Sequence, residues 1–170
     1  MNFFTLLLAI ATAGASTIAS AQSDPPQFAM REDGKYIDPN SIWRYAARTT
    51  KIPLNRKYQD LTREQREVLA SAYVSMLEGD EPPFPEQGLQ PLVLALIKAQ
   101  DSFRVRGSLL LIVDVDSSGQ ATSVSTFSSP DQRMTQFASA LLLLTKYKPA
   151  VCSGQPCRMQ YPFHMGFGLE

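Results

Sequence analysis

Few residues in this chain are of types and spacings that can do chemistry. Its two cysteines, Cys152 and Cys157, sit in "KYKPAVCSGQPCRMQYPF", and its one histidine, His164, follows shortly after. A C-x4-C pair can clip a metal, act as a redox couple or staple the chain. A structural zinc site wants four ligands, and two cysteines with one histidine fall short. A redox couple is usually C-x-x-C at a helix N-terminus, where the dipole favours thiolate; this pair follows a helical pattern and precedes a strand pattern. His164 can act as a general base, but no G-x-S-x-G nucleophile motif and no carboxylate orienter accompany it in the sequence. Asp114 and Asp116 form a D-x-D, which turn capping by Asp116 and an outward carboxylate at Asp114 explain without a metal. The residues therefore predict no catalytic centre, no metal and no cofactor.

The compartment decides between the remaining uses of the cysteines. The chain opens "MNFFTLLLAIATAGASTIASAQ", an apolar run followed by small residues and an A-x-A ending at Ala21. That pattern predicts a signal peptide over 1–21, and the run is shorter than a membrane span requires. Cleavage there leaves 170 − 21 = 149 residues, one ordinary domain or a small domain with helical additions. No cysteine follows the run to accept a lipid, so the mature chain is expected to be exported without membrane insertion. In an oxidising compartment Cys152 and Cys157 are expected to form a disulfide, with the intervening "SGQP" as a turn. The 16 basic and 16 acidic residues cancel, so no charge field selects nucleic acid or anionic lipid.

These residues must be positioned by elements that the hydrophobic period reveals. Residues 22–37 read as an irregular leader, and "DPNSIWRYAART" as a short helix packed through Trp43. Thr62 and Gln65 have capping-box spacing, and Val68, Leu69, Ala72, Tyr73, Met76 and Leu77 recur at helical spacing up to a stop at Gly79. "DEPPFPEQG", 80–88, reads as a linker or extended surface loop. A third helix starts near Gln90, with Pro91 in its first turn, and runs to about Gln100. At Gly107 the period changes to two. Leu109, Leu111, Val113 and Val115 share one strand face, "DSSG" turns the chain, and "QATSVSTFSS" returns as a second strand. Ser129 and Gln132 again have capping-box spacing, and Met134, Phe137, Ala138, Leu141 and Leu142 form a helical stripe. "RMQYPFHMGF" alternates as a last strand, and Pro162, which has no backbone donor, predicts that it lies at a sheet edge. The fold class expected is α+β: N-terminal helices over 22–100, then a β-β-α-β unit over 101–170 with a small antiparallel sheet packed on a helix.

The order "GSLLLIVDVDSSGQATSV", "SSPD", an amphipathic helix, "TKYKPA" and a closing "MQYPFHMGF" resembles the C-terminal domain of the TonB family. The likeness covers roughly the last 70 residues. It does not extend to a long Pro-rich spacer or a "Y-P-x-x-A" stretch, where this chain has "DSFRVRG". The resemblance implies a periplasmic location in a Gram-negative envelope. It also implies a last strand that accepts an extended peptide of an outer-membrane transporter by strand addition. Carried onto this sequence, the edge runs from Arg158 to Phe167, with Arg158, Gln160, Tyr161 and His164 as candidate contacts.

The function expected is that of a non-catalytic binding or adaptor module for a protein or peptide partner in the envelope. An alternative is a structural protein that self-associates, as a homodimer, through the same strand edge. A further alternative is a hydrolase that uses His164.

Overall fold

A computed structural model describes residues 52–73 and 76–168. The expected signal peptide, leader and Trp43 helix lie outside the described residues. Along the described chain a 3-10 turn at Tyr58–Asp60 precedes α1 (Arg63–Ala70), β1 (Phe84–Pro85) and α2 (Gln90–Phe103). Then follow β2 (Gly107–Val115), β3 (Ala121–Ser128), α3 (Gln132–Leu144), β4 (Tyr147–Lys148), β5 (Ala150–Cys152), β6 (Gln155–Cys157) and β7 (Met159–Phe167). The fold is α+β.

The main sheet has the order β3-β2-β7 and is antiparallel throughout, with β2 in the centre. Its length follows from nine residues of strand-favouring sequence. Leu109, Leu111, Val113 and Val115 all bury on the helix-facing side, each contributing roughly 1.5–3 kcal/mol by leaving water. Tyr161, Phe163 and Phe167 of β7 bury on the same side, and Met134, Ala138 and Leu142 of α3 and Leu92, Leu96 and Ala99 of α2 cover them. The opposite face is not wholly wet, since Leu110 is only 2 % exposed. Helix α3 lies over β3 and β2, and α2 lies over β7.

The turn at 116–119 forms as its sequence requires. The Asp116 carboxylate accepts from the Ser118 and Gln120 N–H groups and from the Ser118 hydroxyl. Gly119 adopts φ +82°, and a Cβ there would collide with the Tyr147 carbonyl, so only glycine lets the hairpin tip dock on the chain that leaves α3.

Four local expectations are corrected. Thr62 and Gln65 do make the capping box, but the helix stops at Ala70 rather than near Gly79. Ala72 and Tyr73 leave the helical path to join Ala150, Cys152 and Met159 in a second apolar cluster, and tertiary packing overrides propensity. At α3 the cap is Asp131, whose carboxylate accepts from the Arg133 and Met134 N–H groups. Ser129 instead bonds Thr135 and the Asp131 carbonyl. The Pro-rich stretch at 80–88 is no surface loop. Phe84 is wholly buried, Pro82 and Pro83 nearly so, and Phe84–Pro85 pairs with Tyr147–Lys148. The turn expected over "SGQP" is confined to Ser153 and Gly154, both at positive φ, while Gln155 and Pro156 belong to β6.

Candidate functional site: the outer edge of the last strand

Strand β7 pairs with β2 over nine residues in unbroken register, from Gly107 opposite Phe167 to Val115 opposite Met159. Among the described residues it has no partner strand on its other side. In an antiparallel ladder, alternate residues turn their backbone groups toward the partner and away from it. Three observations fix which residues turn outward. The Gln160 carbonyl accepts from the Tyr73 hydroxyl at 2.6 Å, and the Gly168 carbonyl accepts from Gln100 Nε2 at 2.5 Å. Pro162, at the same parity, has no N–H to give β2. The outward set is therefore Gln160, Pro162, His164, Gly166 and Gly168.

The ends of this edge differ from its middle. Tyr73 covers the Gln160 carbonyl, and Gln100, at the foot of α2, covers that of Gly168. Pro162 removes one donor. Gly166, which is exposed, turns both an N–H and a C=O outward with no partner among the described residues. Here the edge is accessible to another backbone.

Each residue expected at the site has a definite place. Arg158 reaches across the sheet to Asp114, Nη2 to Oδ1 at 3.3 Å, while the Ser123 hydroxyl donates to the same carboxylate at 2.6 Å. This holds β7, β2 and β3 in line on the face away from the helices. Gln160 is half-buried and contributes its carbonyl to the edge. Tyr161 is 4 % exposed and faces the helices, where its ring meets those of Phe84 and Tyr147, so its side chain is unavailable to a ligand at the edge. The His164 ring nitrogen Nε2 lies 2.8 Å from the Ser108 hydroxyl, and burial pushes its imidazole below the usual histidine pKa. No sequence pattern singles out Ser108. Its contact with His164 spans two strands and depends on the register of the sheet.

Cys152 and Cys157 form a disulfide across the β5–β6 hairpin, with Cα atoms 5.8 Å apart. The hairpin is tied to the rest of the fold on its far side. Glu81 and Val151 exchange two backbone hydrogen bonds at 2.9 Å, and the Asp80 carboxylate accepts from the Ser153 N–H. Cys152 packs with Tyr73 and Met159, so the disulfide, the Tyr73 hydroxyl and the start of β7 form one unit. Sequence reasoning missed Tyr73. It reads as one more apolar position on a helix, and its partner is 87 residues away.

A cleft of about 590 Å³ lies elsewhere, lined by Lys57, Tyr58, Arg66, Glu81, Glu86 and Lys148. Its charges largely serve the fold. Lys148 Nζ is 2.9 Å from Glu81 and 4.4 Å from the centre of the Tyr58 ring, with the Arg66 guanidinium 5.3 Å from the same ring. Arg66 also donates to the Gln59 and Leu61 carbonyls. Burial first, and then Glu81, pushes the Tyr58 hydroxyl up to about 12, although Arg66 opposes the shift. Among the described residues no cluster of three or more His, Cys, Asp or Glu can hold a metal ion, and no helix is long and apolar enough to cross a membrane. No protein-family model matches the chain, and no curated protein or solved structure is significantly similar to it.

Proposed function

We propose that this chain is a non-catalytic binding module of the periplasm that takes up an extended peptide of an envelope or outer-membrane transport protein on the outer edge of β7. The observation that carries the reading is the unbroken ladder of β7, one-sided among the described residues, with Gly166 exposed on its outer side. An edge of this kind supplies affinity through backbone hydrogen bonds, and alternate side chains supply selectivity. The likeness of the 107–167 motifs to the TonB C-terminal family supports the same use.

The test is a titration of isotope-labelled protein with extended peptides from the periplasmic ends of outer-membrane transporters. Amide shifts concentrated in β7 are expected, and their absence rejects the reading. Concentration-dependent shifts of the same amides without peptide would assign the edge to a second copy of the chain. The Ser108–His164 contact gives a second reading, a hydrolase. Against it, both residues lie on a sheet face rather than at the sharp strand-to-helix turn that exposes a nucleophilic serine. Should a hydrolytic activity be found, unchanged turnover in His164→Ala would exclude the pair from it.

A further inference from the structure

We infer that the cleft beside Tyr58 is a binding site of its own, which takes a small zwitterion of dipeptide size with its carboxylate on Arg66, Tyr58 and Lys57 and its ammonium on Glu86. The cleft shares no lining residue with β7. Arg66 carries the argument. A guanidinium holds five N–H donors in a planar fork, and here the side-on pair is spent on the fold. Nε donates to the Leu61 carbonyl at 3.1 Å and Nη2 to the Gln59 carbonyl at 2.9 Å. Both acceptors are backbone groups at the 3-10 turn, so the plane of the fork is fixed before any ligand arrives. The end-on pair, Nη1 and the second hydrogen of Nη2, has no partner among the described residues. That pair matches a carboxylate through two parallel hydrogen bonds.

The charge of Arg66 is also left over. Its side chain is half-buried against the Tyr58 ring, yet among the described residues no carboxylate lies within ion-pair distance of it. Lys148, the second cation on that ring, differs. Its ammonium gives its three hydrogens to Glu81 at 2.9 Å and to the Pro149 and Pro82 carbonyls at 2.9 and 3.5 Å. Lys148 and Glu81 therefore cancel within the wall of the cleft. Lys57, exposed at the rim, has no partner among the described residues and adds a second free cation. The Tyr58 hydroxyl supplies a neutral donor. It makes no hydrogen bond among the described residues and is not among the sealed polar atoms, so it opens on the cleft. Burial and the nearby Glu81 keep its proton in place.

The ligand class follows from what remains unpaired. Arg66, Lys57 and the Tyr58 hydroxyl call for an anionic group, and Glu86, whose carboxylate lines the same cleft without a partner among the described residues, calls for a cationic one. A zwitterion satisfies both. A phosphate or dicarboxylate would satisfy the cations and be repelled by Glu86. Pro85 and Pro149 add apolar wall without backbone donors, against which a small side chain can rest. The volume of about 590 Å³ lies within the usual range for small-ligand sites, about 300–1,000 Å³.

The experiment uses the full chain with labelled amides and arginine side-chain nitrogens. It is titrated with alanyl-alanine, its C-terminal amide, its N-acetyl form and inorganic phosphate. The expected result is a shift of the Arg66 guanidinium together with the amides of Lys57, Tyr58 and Gln59. Affinity should fall roughly tenfold for the C-terminal amide and about fivefold for the N-acetyl form. Tyr58→Phe keeps the ring and removes the hydroxyl, and should weaken alanyl-alanine about fivefold; a thermal melt verifies its fold. Equal affinity for the acid and its amide, or undiminished binding in Tyr58→Phe, would overturn the carboxylate assignment. Phosphate bound as tightly as alanyl-alanine would overturn the zwitterion. Silence of Arg66 and of the 57–59 amides with every probe, or shifts confined to β7, would remove the site and leave strand addition to its own test.

Discussion

The sheet has two edges, and they are built to opposite ends. Strand β3 breaks register with β2 twice, between Leu110 and Leu111 and again between Asp114 and Val115. Its sequence, "ATSVSTFS", carries small hydroxyl side chains on both faces. Bulges and polar, poorly packing residues are the usual means of making an edge unattractive to another strand. Strand β7 keeps register over its whole length and has a strongly apolar helix-facing side. Among the described residues it is closed locally, by Tyr73 at Gln160, by Pro162 and by Gln100 at Gly168. One edge is protected along its length and the other at chosen points, which leaves a short window around Gly166.

Perturbing the supports of each edge separately sharpens this contrast. The largest effect is expected from Cys152→Ser with Cys157→Ser, which removes a small ring worth about 2 kcal/mol. Hydrogen exchange should accelerate at Met159–Tyr161, which share a cluster with Cys152 and Tyr73, while β3 keeps its protection; uniform loss across both strands would contradict a local role. Tyr73→Phe removes one hydrogen bond, about 1 kcal/mol, and should expose the same end of β7 in the same assay. A smaller effect attaches to His164. Its folded pKa is depressed by burial, so below about 6.5 the unfolded chain takes up the proton first. Stability therefore falls as pH drops through that range, and His164→Gln should flatten the dependence in denaturant titrations between pH 7 and 5.

The smallest effect belongs to the β3 side. Desolvation pushes Asp116 up, but hydrogen bonds from Gln120, Ser118 and Gly119 outweigh it and hold the carboxyl below its usual value. The stabilisation from this turn is present above the ordinary carboxylate pKa and is lost as pH falls through the lower folded value. Asp116→Asn should remove that acid-side loss from the hairpin amides without disturbing β7.

Much of this architecture was legible in the sequence where one local rule decided the outcome. The nine residues of β2 alternate cleanly, the α3 stripe repeats at helical spacing, and Asp116 with Gly119 specifies its turn. The disulfide between Cys152 and Cys157 was expected from the cysteine count, on the reading of the N-terminus as a signal peptide. The rest depended on contacts between distant segments. The end of α1 is set by Tyr73 turning toward β7, which no window of ten residues reveals. Phe84 lies among prolines, whose turn signal masks the burial of its ring. For the site, Pro162 correctly indicated an edge strand. Which residues of that edge remain accessible was hidden, because Tyr73 and Gln100 come from other elements. Tyr161, chosen as a contact by position, has its ring in the core because its parity places it on the helix-facing side of the sheet.

A pair of proline variants tests the central claim most directly. Gly166 of β7 turns its backbone N–H outward. Thr126 of β3, opposite Leu111, does so by the same alternation, because odd residues of β2 bond to β7 and even ones to β3. Proline at either position removes only an outward donor and spares the ladder. With melting curves showing both variants folded, the affinity of an extended transporter-derived peptide that shifts the β7 amides should be lost in Gly166→Pro and unchanged in Thr126→Pro. Undiminished binding in Gly166→Pro, or a loss confined to Thr126→Pro, would contradict the assignment of β7 as the binding edge.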